Sequence, residues 1–214
     1  MKKIPALLVM TLLIWSGCED KKPSPLEPTD LKKIETQLEE SGFTKIYRET
    51  EFVMAYPETW DEEPYDQLKN DAKKVLFRGD KKDGVPETDD GVEVKIGMTV
   101  VAKEIPEGMG LDDLVGMEIQ ALETMEDNKL TGEPVQEKVK LLNGVPAHLL
   151  KYELFNEEKK RYAHRYQLVT FSQYDGLNFS VIGFVTTAVS GDEFLKKYGL
   201  DEKIRKHILT FVHR

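Results

Sequence analysis

Residues 145–187 read VPAHLLKYELFNEEKKRYAHRYQLVTFSQYDGLNFSVIGFVTT, and this stretch decides the fold. Apolar and polar side chains alternate along three runs, about 145–155, 161–173 and 176–187, the two-residue period of strands with two different faces. Turn residues separate them: NEEKK at 156–160 and the dipeptide Asp175-Gly176. The reading is an antiparallel meander, with a fourth run at about 134–142 leading into it. A two-residue turn at Asp175-Gly176 pairs Tyr174 with Leu177, Tyr166 with Val185 and His164 with Thr187. Taking NEEKK as a five-residue loop pairs Phe155 with Arg161, Tyr152 with His164 and Leu150 with Tyr166.

Because strand side chains alternate, these registers sort the meander into two faces. The core face is expected to carry His148, Leu150, Tyr152, Leu154, Tyr162 and His164, and with them Tyr166, Leu168, Phe179, Val181 and Val185. The other face carries Lys151, Glu153, Arg165 and Gln167 in its middle. That quartet is the candidate binding patch. Its alternative is a set of cross-strand ion pairs, with Glu153 diagonal to Arg161 and Arg165.

Working outward, Asp30 is the expected N-cap of a helix over 31–40, with Leu31, Ile34 and Leu38 on one stripe and Gly42 as its stop. Residues 43–56 read as extended, a short strand follows around 74–77, and 92–101 alternates as another. Between them DKKDGVPETDDG at 80–91 is a charged loop. Leu111, Leu114, Val115, Leu122 and Met125 share one face of a helix over 111–125. Ser190-Gly191-Asp192-Glu193 matches a capping box, and the last helix is expected over 200–212. Helices on an antiparallel sheet make an α+β fold.

The front of the chain has a different character. MKKIPALLVMTLLIWSG at 1–17 is a basic start, about 12 apolar residues and two small ones, the order of a secretory signal. As helix that apolar run reaches only about 18 Å, short for crossing a bilayer. Trp15-Ser16-Gly17-Cys18 resembles the lipobox of bacterial lipoproteins, with Trp15 standing where an aliphatic residue is usual. The resemblance implies diacylglyceryl transfer to the Cys18 sulfur, cleavage before it and acylation of the new amine, palmitate being a typical chain. Glu19 is not the aspartate that resembles an inner-membrane retention signal, which points toward the outer membrane. Residues 19–29 (EDKKPSPLEPT) are charged and proline-rich and read as a tether of roughly 30 Å. The organisation expected is 1–17 signal peptide, 18–29 lipidated N-terminus and flexible tether, and 30–214 a single α+β sandwich domain.

One short motif carries a second resemblance. Tyr56-Pro57 with Trp60 beyond (YPETW), a helix after a strand pair, and a meander opening at Gly144-Val145-Pro146-Ala147 are similar to the PsbP-like and DcrB-like proteins. This implies an α-β-α sandwich around an antiparallel sheet. Many bacterial members of that group are secreted or lipid-anchored without an assigned activity, and plant relatives act as accessory subunits of photosystem II. The helix at 31–40 and the acidic loop at 80–91 are additions to that pattern.

Composition excludes more than it assigns. The formal charge is −9, and removing Lys2 and Lys3 with the leader leaves −11, a surface that repels phosphate backbones, so nucleic acid is not an expected partner. The single cysteine forbids an intramolecular disulfide and, once acylated, is no nucleophile. Catalytic residues are expected to be none, for no P-loop, G-x-S-x-G, H-E-x-x-H or C-x-x-C occurs. No metal site or cofactor is expected either: His148 and His164 fall about 13 Å apart in the register above. Glu87, Asp89, Asp90 and Glu93 lack calcium-loop spacing. Tyr56 and Trp60 are read as packing aromatics rather than a stacking platform. The expected function is a membrane-anchored envelope lipoprotein of non-enzymatic, binding or accessory type, facing the periplasm or exterior. Its partners are the bilayer, through acylated Cys18, and another envelope protein. Alternatives are a small-ligand or metal-binding module and a hydrolase with an unrecognised site.

Overall fold

A computed structural model describes residues 28–64, 74–79 and 91–214. The leader, Cys18, most of the tether and the loop at 80–90 lie outside the described residues. Along the chain run α1 (Leu31–Glu40), β1 (Ile46–Arg48), β2 (Phe52–Ala55), β3 (Asp61–Pro64), β4 (Lys74–Arg78) and β5 (Lys95–Glu104). Then come α2 (Leu111–Glu123), β6 (Asn128–Leu130), β7 (Val135–Lys140), β8 (Pro146–Asn156), β9 (Arg161–Ser172) and β10 (Leu177–Thr187). The chain closes with α3 (Asp192–Lys197), α4 (Leu200–Ile208) and β11 (Val212–His213).

The meander is the centre of an eight-stranded sheet in the order β3-β4-β5-β10-β9-β8-β6, with β7 also paired to β8. A three-stranded sheet, β1-β2-β11, is separate, and every pairing in both is antiparallel. The chain is thus a mixed α/β protein dominated by antiparallel sheet.

Three apolar clusters hold the layers together. One face of the large sheet presents Val75, Phe77, Met98, Leu168 and Val181 to Phe52 and Met54 of β2 and to Ile204 and Ile208 of α4. The opposite face presents Leu150, Tyr152, Leu154 and Val169 to Leu114, Val115 and Leu122 of α2. On the far side of the small sheet, Val53, Ala55 and Val212 meet Ile34 and Leu38 of α1. Successive β2 residues therefore point into different clusters, which is why all four are buried.

α1 has the bounds expected, with the Asp30 carboxylate accepting from Lys32 N and Lys33 N at 3.1 and 3.3 Å. The meander differs in register, for reasons visible in its turns. Between β9 and β10 the turn has four residues, closed by Ser172 opposite Leu177. The Ser172 hydroxyl accepts from Asp175 N at 3.1 Å, and Gly176 takes the left-handed conformation (φ 65°). The shift from the expected pairing is two residues, so β10 keeps its faces: His164 lies opposite Val185 rather than Thr187. Between β8 and β9 the loop is also four residues, closed by Asn156 opposite Arg161. Asn156 Oδ1 accepts from Lys159 N at 2.7 Å, and Lys160 adopts φ 51°. That shift is one residue, and one residue turns β8 over.

Other expectations change as well. Gly191, not Ser190, is the N-cap of α3, because the Ser190 hydroxyl is turned to Glu153 at 2.9 Å. The last helix ends at Ile208, and Val212–His213 pair with β2 instead. α2 stops at Glu123, leaving Met125 outside the apolar stripe and 37% exposed.

Candidate functional site

The one-residue turn of β8 decides the candidate patch. Lys151 pairs across to Tyr166 and Glu153 to His164, whereas Tyr152 pairs to Arg165 and Leu150 to Gln167. Lys151 and Glu153 therefore share a face with the α3–α4 side, and Arg165 and Gln167 lie on the α2 side. The four residues form two pairs on opposite faces.

On the first face, Glu153 is a hub. Its carboxylate accepts from Thr131 Oγ1 (2.9 Å), Ser190 Oγ (2.9 Å) and Gly191 N (2.8 Å), and lies 3.0 Å from His164 Nδ1. His164 is buried, and its Nε2 is 3.1 Å from the Val189 carbonyl. Lys151 Nζ sits 2.5 Å from Asp192, 3.7 Å from Asp201 and 5.4 Å from the centre of the Tyr166 ring. These contacts fasten β8 to the turn before α3 and to the start of α4.

On the second face a polar network runs beneath α2. The buried Tyr152 hydroxyl donates to Gln167 Oε1 at 2.7 Å, and the Gln167 amide donates to Glu118 Oε2 at 2.7 Å. Ser180 Oγ is 3.3 Å from both the Gln167 amide and Glu118 Oε1. Burial pushes the Tyr152 phenol up, against the pull of the Arg165 guanidinium. Its one carboxylate, Glu118, accepts from the Gln167 amide and the Ser180 hydroxyl, so the set reads as a buried polar network rather than as catalytic machinery.

The histidines stay apart. His148 is buried on the α2 face, with Nε2 3.2 Å from Asp112 and Nδ1 bonded to the Gln136 amide, while His164 is on the other face. His207 Nδ1 is 2.7 Å from the Lys203 carbonyl, and its ring meets the edge of Phe43. Among the described residues no group of three His, Cys, Asp or Glu could hold a metal ion. Of the acidic loop candidates, Glu87, Asp89 and Asp90 lie outside the described residues, and Glu93 pairs with Arg161 and Lys95.

The YPETW aromatics are interior. Trp60 is fully buried, Lys203 Nζ stands 5.8 Å over its ring, and Lys45 Nζ donates to its carbonyl at 2.8 Å. Tyr56 stacks on Phe77 at 4.5 Å and donates to Glu62 at 2.8 Å; burial and that carboxylate push its phenol up to about 12.

A concavity lies at the end of the meander beside Thr29. It has a volume of about 240 Å³, with Val145, Pro146 and Phe171 as walls and His213 beneath. Thr29 and Arg214 both line it, and the Asn143 amide donates to Thr29 Oγ1 at 2.8 Å. The sequence alone gave no view of this cleft, since its residues come from four distant segments. The one available signal was that the Gly144-Val145-Pro146 and Asp175-Gly176 turns fall at the same end of the meander. Among the described residues no helix is long and apolar enough to cross a membrane.

No family model and no curated protein sequence matches the chain. Among solved structures, the Ran-binding protein Mog1p of Saccharomyces cerevisiae is similar over 78% of this chain and 94% of its own, at 10% identity and a TM-score of 0.50. A variant of Mog1 (10% identity, 75% and 89% of the two chains, TM-score 0.47) and a Pseudomonas aeruginosa protein of unknown function (15%, 74% and 93%, TM-score 0.42) are also similar. At such identity the likeness to yeast Mog1p is one of fold: this chain shares a mixed α/β architecture built on antiparallel sheet.

Proposed function

We propose that the chain is a non-enzymatic lipoprotein of the bacterial envelope, held to the bilayer by an acylated Cys18 and docking its folded domain to another envelope protein. The observation that carries this reading is the place of Cys18: the sole thiol follows an apolar run with Ser16 and Gly17 and precedes a proline-rich stretch. Two or three acyl chains, each buried methylene contributing roughly 0.8 kcal/mol, give lasting attachment. Support for a non-catalytic role is the state of the polar residues, since Glu153, His164, Lys151, Gln167 and Tyr152 are engaged with other side chains or with backbone. Support for a protein partner comes from a fold neighbour named for binding the protein Ran. Exposed Met117, Val135 and Leu142 are among the apolar points available for such contact. The finer likeness to PsbP-like and DcrB-like proteins rests on YPETW, whose Tyr56 and Trp60 pack into the shared core.

Mass spectrometry of the mature protein tests the anchor. The expected result is an N-terminal Cys18 carrying diacylglycerol and an amide-linked acyl chain, with Cys18→Ala trapped as unprocessed precursor. An unmodified Cys18, or a retained leader on the wild-type chain, defeats the reading. Photo-crosslinkers at Met117 and Leu142 test the partner: a discrete adduct in intact envelopes is expected, and no adduct from either site removes protein docking.

A further inference from the structure

The cleft beside Thr29 is left unused by the reading above, and its chemistry is narrow. Its walls are apolar: Val145, Pro146, Phe171 and the ring of Tyr174, which is 51% exposed. Its floor is the His213 ring, 2% exposed and stacked on Phe179 at 5.4 Å and 11°. Both ring nitrogens already have protein partners, Nε2 with Thr170 Oγ1 at 3.2 Å and Nδ1 with the Arg214 carbonyl at 2.8 Å. Burial also lowers the His213 pKa, so at neutral pH the floor is an uncharged aromatic surface.

Among the described residues the only charged side chain lining the cleft is Arg214. Its backbone is fixed on two sides, Arg214 N donating to the Glu51 carbonyl at 2.9 Å and Ser172 Oγ donating to the Arg214 carbonyl at 2.6 Å. Its guanidinium, by contrast, pairs with no carboxylate among the described residues, and its partner there is the Tyr174 ring at 5.0 Å. The neighbouring acid, Asp175, has Oδ2 3.3 Å from Ser172 Oγ within its own turn. Arg214 thus sets a positive charge, with no carboxylate partner among the described residues, at the mouth of an otherwise apolar cleft, a place that charge complementarity suits to an anion.

We propose that this cleft binds a small apolar monocarboxylate, an aryl or short acyl acid, with its body between Phe171, Pro146 and Tyr174 and its carboxylate on the Arg214 guanidinium. Size favours a molecule of this class, because about 240 Å³ is below the roughly 300–1,000 Å³ of pockets for drug-sized ligands. Charge favours one carboxylate over a phosphate, whose near-double negative charge exceeds the single positive charge that Arg214 supplies. The site stands apart from the anchor and partner proposed above, and either can fail without the other.

The test uses the full chain in nanodiscs of zwitterionic lipid, with benzoate, benzyl alcohol and benzylamine as probes, followed on the Arg214 Nε–Hε NMR resonance. Benzoate is expected to give a saturable shift, benzyl alcohol to bind about fivefold more weakly, as loss of a partly exposed ion pair of about 1 kcal/mol implies, and benzylamine not to bind. Arg214→Gln is expected to bring benzoate, followed on the Tyr174 ring resonances, down to the level of the alcohol at an unchanged melting temperature, and Arg214→Lys to keep part of the preference. Equal binding of the three probes, no saturable shift, or an unchanged benzoate preference in Arg214→Gln overturns the proposal.

Discussion

Tyr152 illustrates how a single hydroxyl is tied into this protein. It is 5% exposed and donates to Gln167 Oε1, which has no other described donor. Tyr152→Phe leaves that oxygen buried and unpaired, and is expected to lower stability by about 1–3 kcal/mol in urea melts. The histidines make a pH prediction. Burial lowers the pKa of His148, His207 and His213 in the folded chain, so the unfolded chain takes up their protons first. Their contribution is complete above the unfolded value of about 6.5 and is lost as pH falls through and below it. Urea melts between about pH 7.5 and pH 5.5 should show falling stability, with a shallower fall in His213→Asn. At this scale the sequence was legible where burial alone decides, as for Trp60. It was illegible where strand facing decides, because Lys151 and Gln167 differ in face through a turn several residues away.

At the scale of elements, the β8–β9 loop is the sensitive one. Lys160 holds a left-handed backbone (φ 51°), a conformation that disfavours a residue with a Cβ by roughly 1–2 kcal/mol. Lys160→Gly is therefore expected to raise stability by about 1 kcal/mol, read as a higher urea midpoint with unchanged slope. Elements with a local signature were read correctly: α1 has its Asp30 cap and Ile34/Leu38 stripe, and the core of α2 has Leu114, Val115 and Leu122. Elements made only by their partners were not. β6 is three residues whose pairing with residues 154–156 of β8 no local pattern announces, and Val212–His213 continue a helical-looking run yet pair with β2. The loop lengths failed for a chemical reason, since Asn156 and Ser172 bond back into their own turns and each closes a four-residue loop.

For the whole molecule, the layers depend on close approach at a few glycines. Gly183 of β10 lies under α4, where a Cβ would fall within the contact radii of Ile204 Cγ2 and Ile208 Cδ1. Gly183→Ala must displace the Ile204 and Ile208 side chains from the sheet, and thermal melts should show a loss of about 1–3 kcal/mol. The large sheet with helices on it could be anticipated from the meander. The small sheet could not, because its strands come from 46–48, 52–55 and 212–213 and nothing in sequence joins the last to the first two. That distant closure brings Thr29 and Arg214 to one cleft. Thr29 and Arg214 therefore stand at a single pole of the domain, like two wires of a lantern on one hook. Joining Thr29 to Arg214 by a short linker should therefore permit circular permutation at the exposed 157–160 turn, read as a folded permutant with a cooperative melt.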